Sequence, residues 1–372
     1  MQEDFHYYGT YCAAYLAGYS HEESLDICYC AQFVDLCSTT FLSKIKAPTK
    51  AATTQLQLEM MDARTDIIGL QDITRIWASF HFLPRDLYAY KPKRTKRYLN
   101  KFRLICGPNG DLLEKTVRLA KDKPLQHTGI AMHVLADTWA HMYFAGTPSL
   151  VINNVDNSFF EIIEKDGEEI ARPIRFRHNP SAPDDIEKGL YTNSLYQSNE
   201  NSIMNLGHGR AGHFPDYSFV KYKYMPAWGD YMEVLKDNPS DYEKAFTQMV
   251  YALKYLRGEE ESFNKDTYDT SVMEKYGDRI RSIITKRQLN ACADWKSFGE
   301  ELSGESIEDF DITKYEDEYD LIPADSKNKS FIGKFIEGAM LQKGMVTDEI
   351  SKAGINHAGF VLPKELNLRK SG

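Results

Sequence analysis

Residues 133–146 read HVLADTWAHMYFAG, a largely apolar stretch that carries His133, Asp137 and His141 at intervals of four. At about 3.6 residues per turn, a step of four rotates the side chain by roughly 40°, so the three stack on one helix face and can converge on a point. A buried charge costs several kcal/mol unless it is paired, hydrogen-bonded or bound to a metal. A chain with this helix must therefore bring further polar groups to that face. The result is a hydrogen-bond network in which Asp137 orients two histidines, a water-filled site, or a metal cradle.

Helical signals dominate the surrounding chain. HYYGTYCAAYLAGYS reads as a helix up to Gly18, and Ser20-x-x-Glu23 is a capping box that opens a second helix with Asp35 near its end. Residues 53–80 predict one or two helices, broken at Pro84 and leaving His81 at a terminus. Asp111 is placed to cap a helix to about Lys121, and Pro124 to start the long helix that ends by Gly146 and Pro148. FFEIIEKDGEEIARPIRFRH shifts to near-alternation around Asp166-Gly167, a hairpin signal. Helical spacing returns at 240–257 and 272–290, and 305–320 reads as an acidic linker or surface excursion. SFIGKFIEGAMLQKGM then has the spacing of a docking helix. The fold class expected is mainly α, a helical bundle-like domain over 1–257 with a β-hairpin insertion at about 158–178, and a helical extension over 258–372.

The bulk charge narrows the partners. With 45 Lys and Arg against 54 Asp and Glu, the net charge of −9 argues against general affinity for nucleic acid or anionic membranes, though not against a local patch. No run of 18 apolar residues spans a bilayer. The opening MQEDFHYYGTY lacks the basic start and apolar stretch of a secretory signal, so a cytoplasmic location is expected. Six cysteines without paired C-x-x-C spacing read as reduced core thiols.

A second concentration of unusual residues is NLGHGRAGHFPDYSF, residues 205–219, where His208, His213 and Asp216 stand among three glycines and a proline. Such composition keeps the backbone irregular and lets side chains turn to one centre. Together with His6, Asp35, His81, His133, Asp137 and His141 this makes nine candidate ligands, a set that suits zinc and related transition metals and is large enough for more than one ion. Di-iron carboxylate bundles use Glu and Glu-x-x-His instead.

Four pieces stand in the order seen in the zinc-dependent phospholipase C and single-strand-specific nuclease superfamily. They are an early helix with His6, Asp35 ending the next helix, an S-F-H-F-x-P segment with His81, and the H-x-x-x-D helix at His133 and Asp137. GIAMHVLADTWAHMYFAG resembles that superfamily's signature helix, and the resemblance covers residues 1 to about 230. It implies a mainly helical enzyme with two or three zinc ions that hydrolyses phosphodiester or phosphomonoester bonds. By the resemblance, Asp35, His81, His133 and Asp137 hold one metal, and His141 holds a second with two of His208, His213 and Asp216. His6 and a bridging Asp137 hold a third. Asp35, a ligand at the rim, is also the residue placed to take a proton from the attacking water.

Three features depart from the superfamily. Tyr143 stands ten residues after His133, where the phospholipases have their next histidine, so the helix is an H-x-x-x-D-x-x-x-H variant. The glycine loop replaces a late His-x-x-x-Glu pair. Five residues precede His6 where the family uses the amine and carbonyl of an N-terminal tryptophan, leaving Glu3 or Asp4 as substitutes or the third site missing.

Residues 91–103, KPKRTKRYLNKFR, hold seven Lys or Arg and no acid. They form either a solvated basic loop or, with Lys93, Arg94 and the aromatic Tyr143, a substrate-binding border for a lipid, nucleotide or nucleic-acid phosphoester. Two other readings stand beside the hydrolase: a helical metalloprotein of other chemistry, and a non-enzymatic scaffold that keeps a structural metal site.

Overall fold

The helix that carries the motif, Leu125–Ala140, is buried along its length from Gln126 to Ala140. A helix apolar nearly all round is stable only where neighbours cover every side. Here the neighbours are the helices His21–Phe33, Asn238–Arg257, Phe331–Lys352, Asp111–Leu119 and Ile67–Phe80. In this computed structural model, which describes residues 1–56, 58–60, 67–153, 158–165, 167–173, 206–209 and 211–356, it is the axis of a mainly α fold with a small antiparallel sheet.

Local sequence builds the pieces around that axis. The chain enters on a π-helical turn, Asp4–Gly9, continuous with the helix Thr10–Leu16. The Ser20 hydroxyl accepts from the Glu23 N–H and the Glu23 carboxylate accepts from the Ser20 N–H, so the capping box starts the helix His21–Phe33 as expected. The tightest crossing is at Gly129. A Cβ there would lie 2.4 Å from the Ile27 carbonyl oxygen and 2.5 Å from Cys30 Cβ, so only glycine lets the two helices approach this closely.

The hairpin forms where its signal lies. β1 (Phe160–Lys165) pairs antiparallel with β2 (Glu168–Pro173). It is not an isolated insertion, because β3 (Lys221–Tyr224) adds to β1 and β4 (Val234–Asp237) adds to β3, giving the order β2-β1-β3-β4. Tyr222 and Tyr224 point inward from β3 and, with Phe82, Phe144, Phe159 and Phe214, form a second apolar cluster. Residues 174–178 of the expected insertion, and His178, lie outside the described residues, as does His357.

Several boundaries differ from the sequence reading, two of them through tertiary hydrogen bonds. The central helix stops at Ala140 rather than near Gly146: Tyr143 N–H donates to the Cys106 carbonyl, Cys106 N–H donates to the Phe144 carbonyl, and Tyr143 takes a left-handed φ of 81°. Residues 53–56 are not helical, since Thr53 and Thr54 N–H both donate to the Cys37 carbonyl. Gly110, not Asp111, occupies the N-cap of Asp111–Leu119, and Pro124 is the N-cap of the central helix rather than its first residue.

The acidic segment after Glu305 is no solvated linker. Ile307 is fully buried against Gly299, and the Phe310 ring packs on Tyr7 and Tyr29 at 5.6 and 5.0 Å, with the carboxylates turned outward. The helix Phe331–Lys352 buries Phe331, Ile332, Phe335 and Ile336, so one apolar cluster continues from Met1 to Ile355. All six cysteines are free thiols, five of them buried. Among the described residues no helix is long and apolar enough to cross a membrane.

Gly129→Ala is expected to destabilise the protein by about 1–3 kcal/mol, because the added methyl overpacks the crossing with no flexible atom to yield. Gly344→Ala, in the helix Phe331–Lys352 with nothing within 4 Å of the new Cβ, is expected to be neutral or stabilising by up to about 1 kcal/mol. Thermal denaturation of the two variants beside the parent checks the contrast.

Candidate metal centre

His133 and Asp137 project from the central helix toward four other parts of the chain. His6 comes from the π-helical turn, a form that occurs mostly at functional sites. Its ring lies on that of His133, with centroids 3.9 Å apart and 19° between planes. Asp35 follows the helix His21–Phe33, and His81 follows the helix Ile67–Phe80. His141 caps the central helix, its N–H donating to the Asp137 carbonyl, so it stays near the motif face although it has left the helix. His208 and Asp216 come from the glycine loop. Gly207 takes φ 58° with its α-carbon against the Phe82 ring, where a Cβ would meet Cζ at 2.2 Å.

Four of the histidines are fixed by backbone. His133 Nδ1 contacts the Ala31 carbonyl at 2.8 Å, His81 Nε2 the Thr53 carbonyl at 3.0 Å, His141 Nδ1 the His81 carbonyl at 2.6 Å, and His208 Nδ1 the Gly212 carbonyl at 2.7 Å. A carbonyl oxygen only accepts, so in each ring that nitrogen donates its proton and the opposite nitrogen faces the centre. Those inward nitrogens converge. His133 Nε2 and His81 Nδ1 are 3.2 Å apart, and each is 3.2 Å from Asp137 Oδ2. His141 Nε2 is 3.1 Å from Asp216 Oδ1. Neither nitrogen of His6 has a hydrogen-bond partner, although Nε2 is 3.1 Å from Asp137 Oδ1, and the ring is fully buried.

Lone pairs packed against lone pairs and carboxylates repel one another unless a cation lies among them. The α-amine of Met1 supplies one such charge: it donates to Asp137 Oδ1 at 2.7 Å and lies 3.3 Å from Asp216 Oδ1. Burial opposes its charge, but Asp137, Asp216 and Asp35 outweigh burial and raise it to about 11. Burial likewise opposes ionisation of Asp137, yet His141, the Met1 ammonium, His133 and His6 hold its carboxyl well below the usual carboxylate range. Asp216 is held low in the same way by His208 and the ammonium. Burial drives His6 and His208 down to about 4, so both are neutral at physiological pH. Burial also opposes a charge on His81, but its hydrogen bond to Asp137 and the charge of Asp35 outweigh burial and raise its pKa, so against the three carboxylates the Met1 ammonium is joined by a His81 that leans to its charged form.

The donors fit a metal ion. Three sets have ligand atoms within 4.8 Å of one another: His6, His133 and Asp137; Asp35, His81 and His133; and His141, His208 and Asp216. Buried imidazole and carboxylate donors without thiolate suit a divalent transition metal.

The structure thus brings eight of the nine candidates together. His213 is at the edge, its side chain 65% exposed and Nδ1 3.6 Å from Asp216 Oδ2. Tyr143 turns away, its carbonyl accepting from Trp228 Nε1–H at 3.1 Å. Arg94 is paired with Asp230, and Lys93 is exposed. Glu3 points to solvent, and Asp4 accepts from the Ala291 and Phe5 N–H groups, so neither substitutes in the cluster. The Met1 amine was not singled out, although the resemblance pointed to an N-terminal amine near His6; only the fold shows it at Asp137. Phe82 was also missed: its ring stacks on His141 with centroids at 4.6 Å and lies 5.7 Å from that of His208, holding both in place.

Fold and site together define a helical protein whose central helix lines a buried imidazole–carboxylate cluster able to hold metal. The chain matches the Family of unknown function (DUF6765) over residues 1–350 and belongs to that family. Comparison with curated proteins and with solved structures gives no match.

Asp137→Asn keeps the shape of the side chain but removes the charge that four histidines and the amine share. It is expected to weaken zinc binding at least tenfold, or about 1.4 kcal/mol, and to lower the melting temperature of the metal-loaded protein. Asp320→Asn, on an exposed surface, changes neither. Equilibrium dialysis with zinc and thermal melts check both; equal affinity in the two variants would remove Asp137 from the site.

Proposed function

We propose that this chain is a metal-dependent hydrolase of phosphoric esters, using zinc in two or three positions, in the manner of the zinc-dependent phospholipase C and single-strand-specific nuclease superfamily that its motifs resemble. The observation that carries the reading is the convergence of the inward ring nitrogens of His81 and His133 on Asp137, each ring oriented from behind by a backbone carbonyl.

Bound divalent ions would supply an acidified water and positive charge for the phosphoryl oxygens. The chain's own residues divide the remaining work. Asp35, His81, His133 and Asp137 hold one position, His141, His208 and Asp216 a second, and His6 with Asp137 a third. Asp35 is the most exposed of the carboxylates at 29%, so it faces the open side and is placed to accept a proton on its carboxylate while also serving as a ligand. Partial exposure at Asp35 supports a catalytic site, which keeps a coordination position open, over a closed structural one.

Elemental analysis of protein expressed in metal-supplemented medium is expected to find at least two divalent ions per chain. Turnover is sought in a panel of chromogenic phosphodiesters and monoesters, short-chain phospholipids, single-stranded DNA and RNA, and nucleotides. At least one should be hydrolysed, with activity abolished by a chelator and restored by zinc. Asp35→Asn should lower kcat by about 10²–10⁴-fold if it takes the proton, and His133→Ala should abolish turnover. His213→Ala should keep most of its activity, since the side chain lies at the edge. A fully metallated protein that hydrolyses nothing in the panel would favour the scaffold reading.

A further inference from the structure

Two loops far apart in sequence meet to form a ledge whose composition the metal centre does not use. Lys91 Nζ donates to the Trp228 carbonyl at 2.5 Å and pairs with Asp230 at 2.8 Å, Arg94 pairs with the same carboxylate, and Tyr98 OH donates to the Trp228 carbonyl at 3.2 Å. Arg103 Nε–H, donating to the Ala89 carbonyl at 3.0 Å, ties down the stretch before Lys91. Thus residues 86–103 and 226–232 hold one another in place.

That fixed ledge displays side chains a soluble surface normally avoids. Tyr88, Tyr90 and Met232 are 68%, 73% and 71% exposed. The short helix Lys96–Phe102 has no buried residue. Lys93, Asp230 and Tyr231 all hold left-handed backbone, φ 57–59°, which costs energy for a residue with a side chain and persists only where the surroundings impose it. Around these apolar tips stand Lys93, Lys96, Arg97 and Lys101, which no carboxylate pairs with among the described residues. The acids nearby are engaged: Asp230 by Lys91 and Arg94, Asp86 by the Tyr88 N–H, Glu233 by Lys223.

We propose that this ledge docks the protein on a lipid bilayer that carries anionic headgroups. Tyr and Met tips flanked by Lys and Arg match the interfacial layer of a membrane, where aromatic and flexible apolar side chains enter the headgroup zone and cations meet lipid phosphates. The charge is complementary although the whole chain is −9, since fields beyond about 8–10 Å are screened and a flat surface touches only one face. A single-stranded nucleic acid would need free aromatic faces for its bases. On the basic helix Tyr98 is already covered by Phe102 at 5.9 Å and by Arg94 at 4.9 Å, which leaves Tyr88 and Tyr90 for stacking, so oligonucleotide binding is the competing outcome of the test. The proposal stands independently of the metal centre, although Trp228 links the ledge to Tyr143, two residues from His141.

The full chain is sedimented with vesicles of phosphatidylcholine alone or mixed with phosphatidylglycerol, at low and physiological salt. Binding is expected to the mixed vesicles only and to weaken as salt rises. Lys96→Gln with Arg97→Gln should lower partitioning by roughly tenfold or more, about fivefold for each charge. Tyr90→Ser with Met232→Ser should also weaken it while leaving the melting temperature and metal content of the parent. All four positions are exposed or partly exposed, so folding is not at stake. Absence of binding to the mixed vesicles, equal binding to both kinds, an apolar double variant that binds like the parent, or binding to single-stranded oligonucleotides in place of vesicles would each overturn the proposal.

Discussion

The Asp137 carboxylate is the interaction on which the rest of the centre depends. Almost wholly buried, it touches His6, His81, His133, His141 and the Met1 amine, which arrive from separate elements. An unpaired carboxylate at this depth would cost several kcal/mol, so every element that supplies a partner is held to the centre by the charge. The same charge makes the cluster poor as a purely proteinaceous network. Its partners are mostly imidazoles, and the positive charge comes from the Met1 ammonium and from His81, whose pKa Asp137 and Asp35 raise against burial.

Backbone, more than side chains, sets the orientation. The four carbonyls of Ala31, Thr53, His81 and Gly212 each take one imidazole proton and so aim the opposite nitrogen inward. Those carbonyls are themselves placed by packing. The Gly129 crossing brings the helix of Ala31 against the central helix, and the Cys37 carbonyl holds Thr53 by its N–H so that its carbonyl reaches His81. Phe82, next to His81 in the chain, packs beside His141 and His208, whose own rings lie 4.7 Å apart. A substitution some distance from any ligand can therefore disturb ligand geometry through the tautomer it no longer enforces.

The molecule separates its charges. Carboxylates gather in a buried centre where their field is weakly screened, whereas the densest cationic segment is displayed on a surface ledge beside exposed tyrosines. The central helix joins the two, since its last turn leads through His141 to Tyr143 and Trp228.

The period of His133, Asp137 and His141, the capping box at Ser20 and the alternation about Gly167 are local signals, and the elements they predict are present, with the mainly α class that follows from them. Residue type and order also singled out the side chains that meet in the cluster, because imidazoles and carboxylates in apolar stretches need one another wherever the chain folds. What the sequence could not contain was set by contacts between distant segments. The Cys106–Phe144 pairing ends the central helix early, Ile307 and Phe310 draw an acidic run onto the core, and β3 turns a hairpin into a sheet. The glycine loop divides in the same way, with His208 buried behind Phe82 and His213 left at the edge, a distinction that spacing among glycines does not encode. Periodicity records which face of an element is buried. Which atoms meet on that face is decided by hydrogen bonds and packing between elements, and so belongs to the tertiary structure alone.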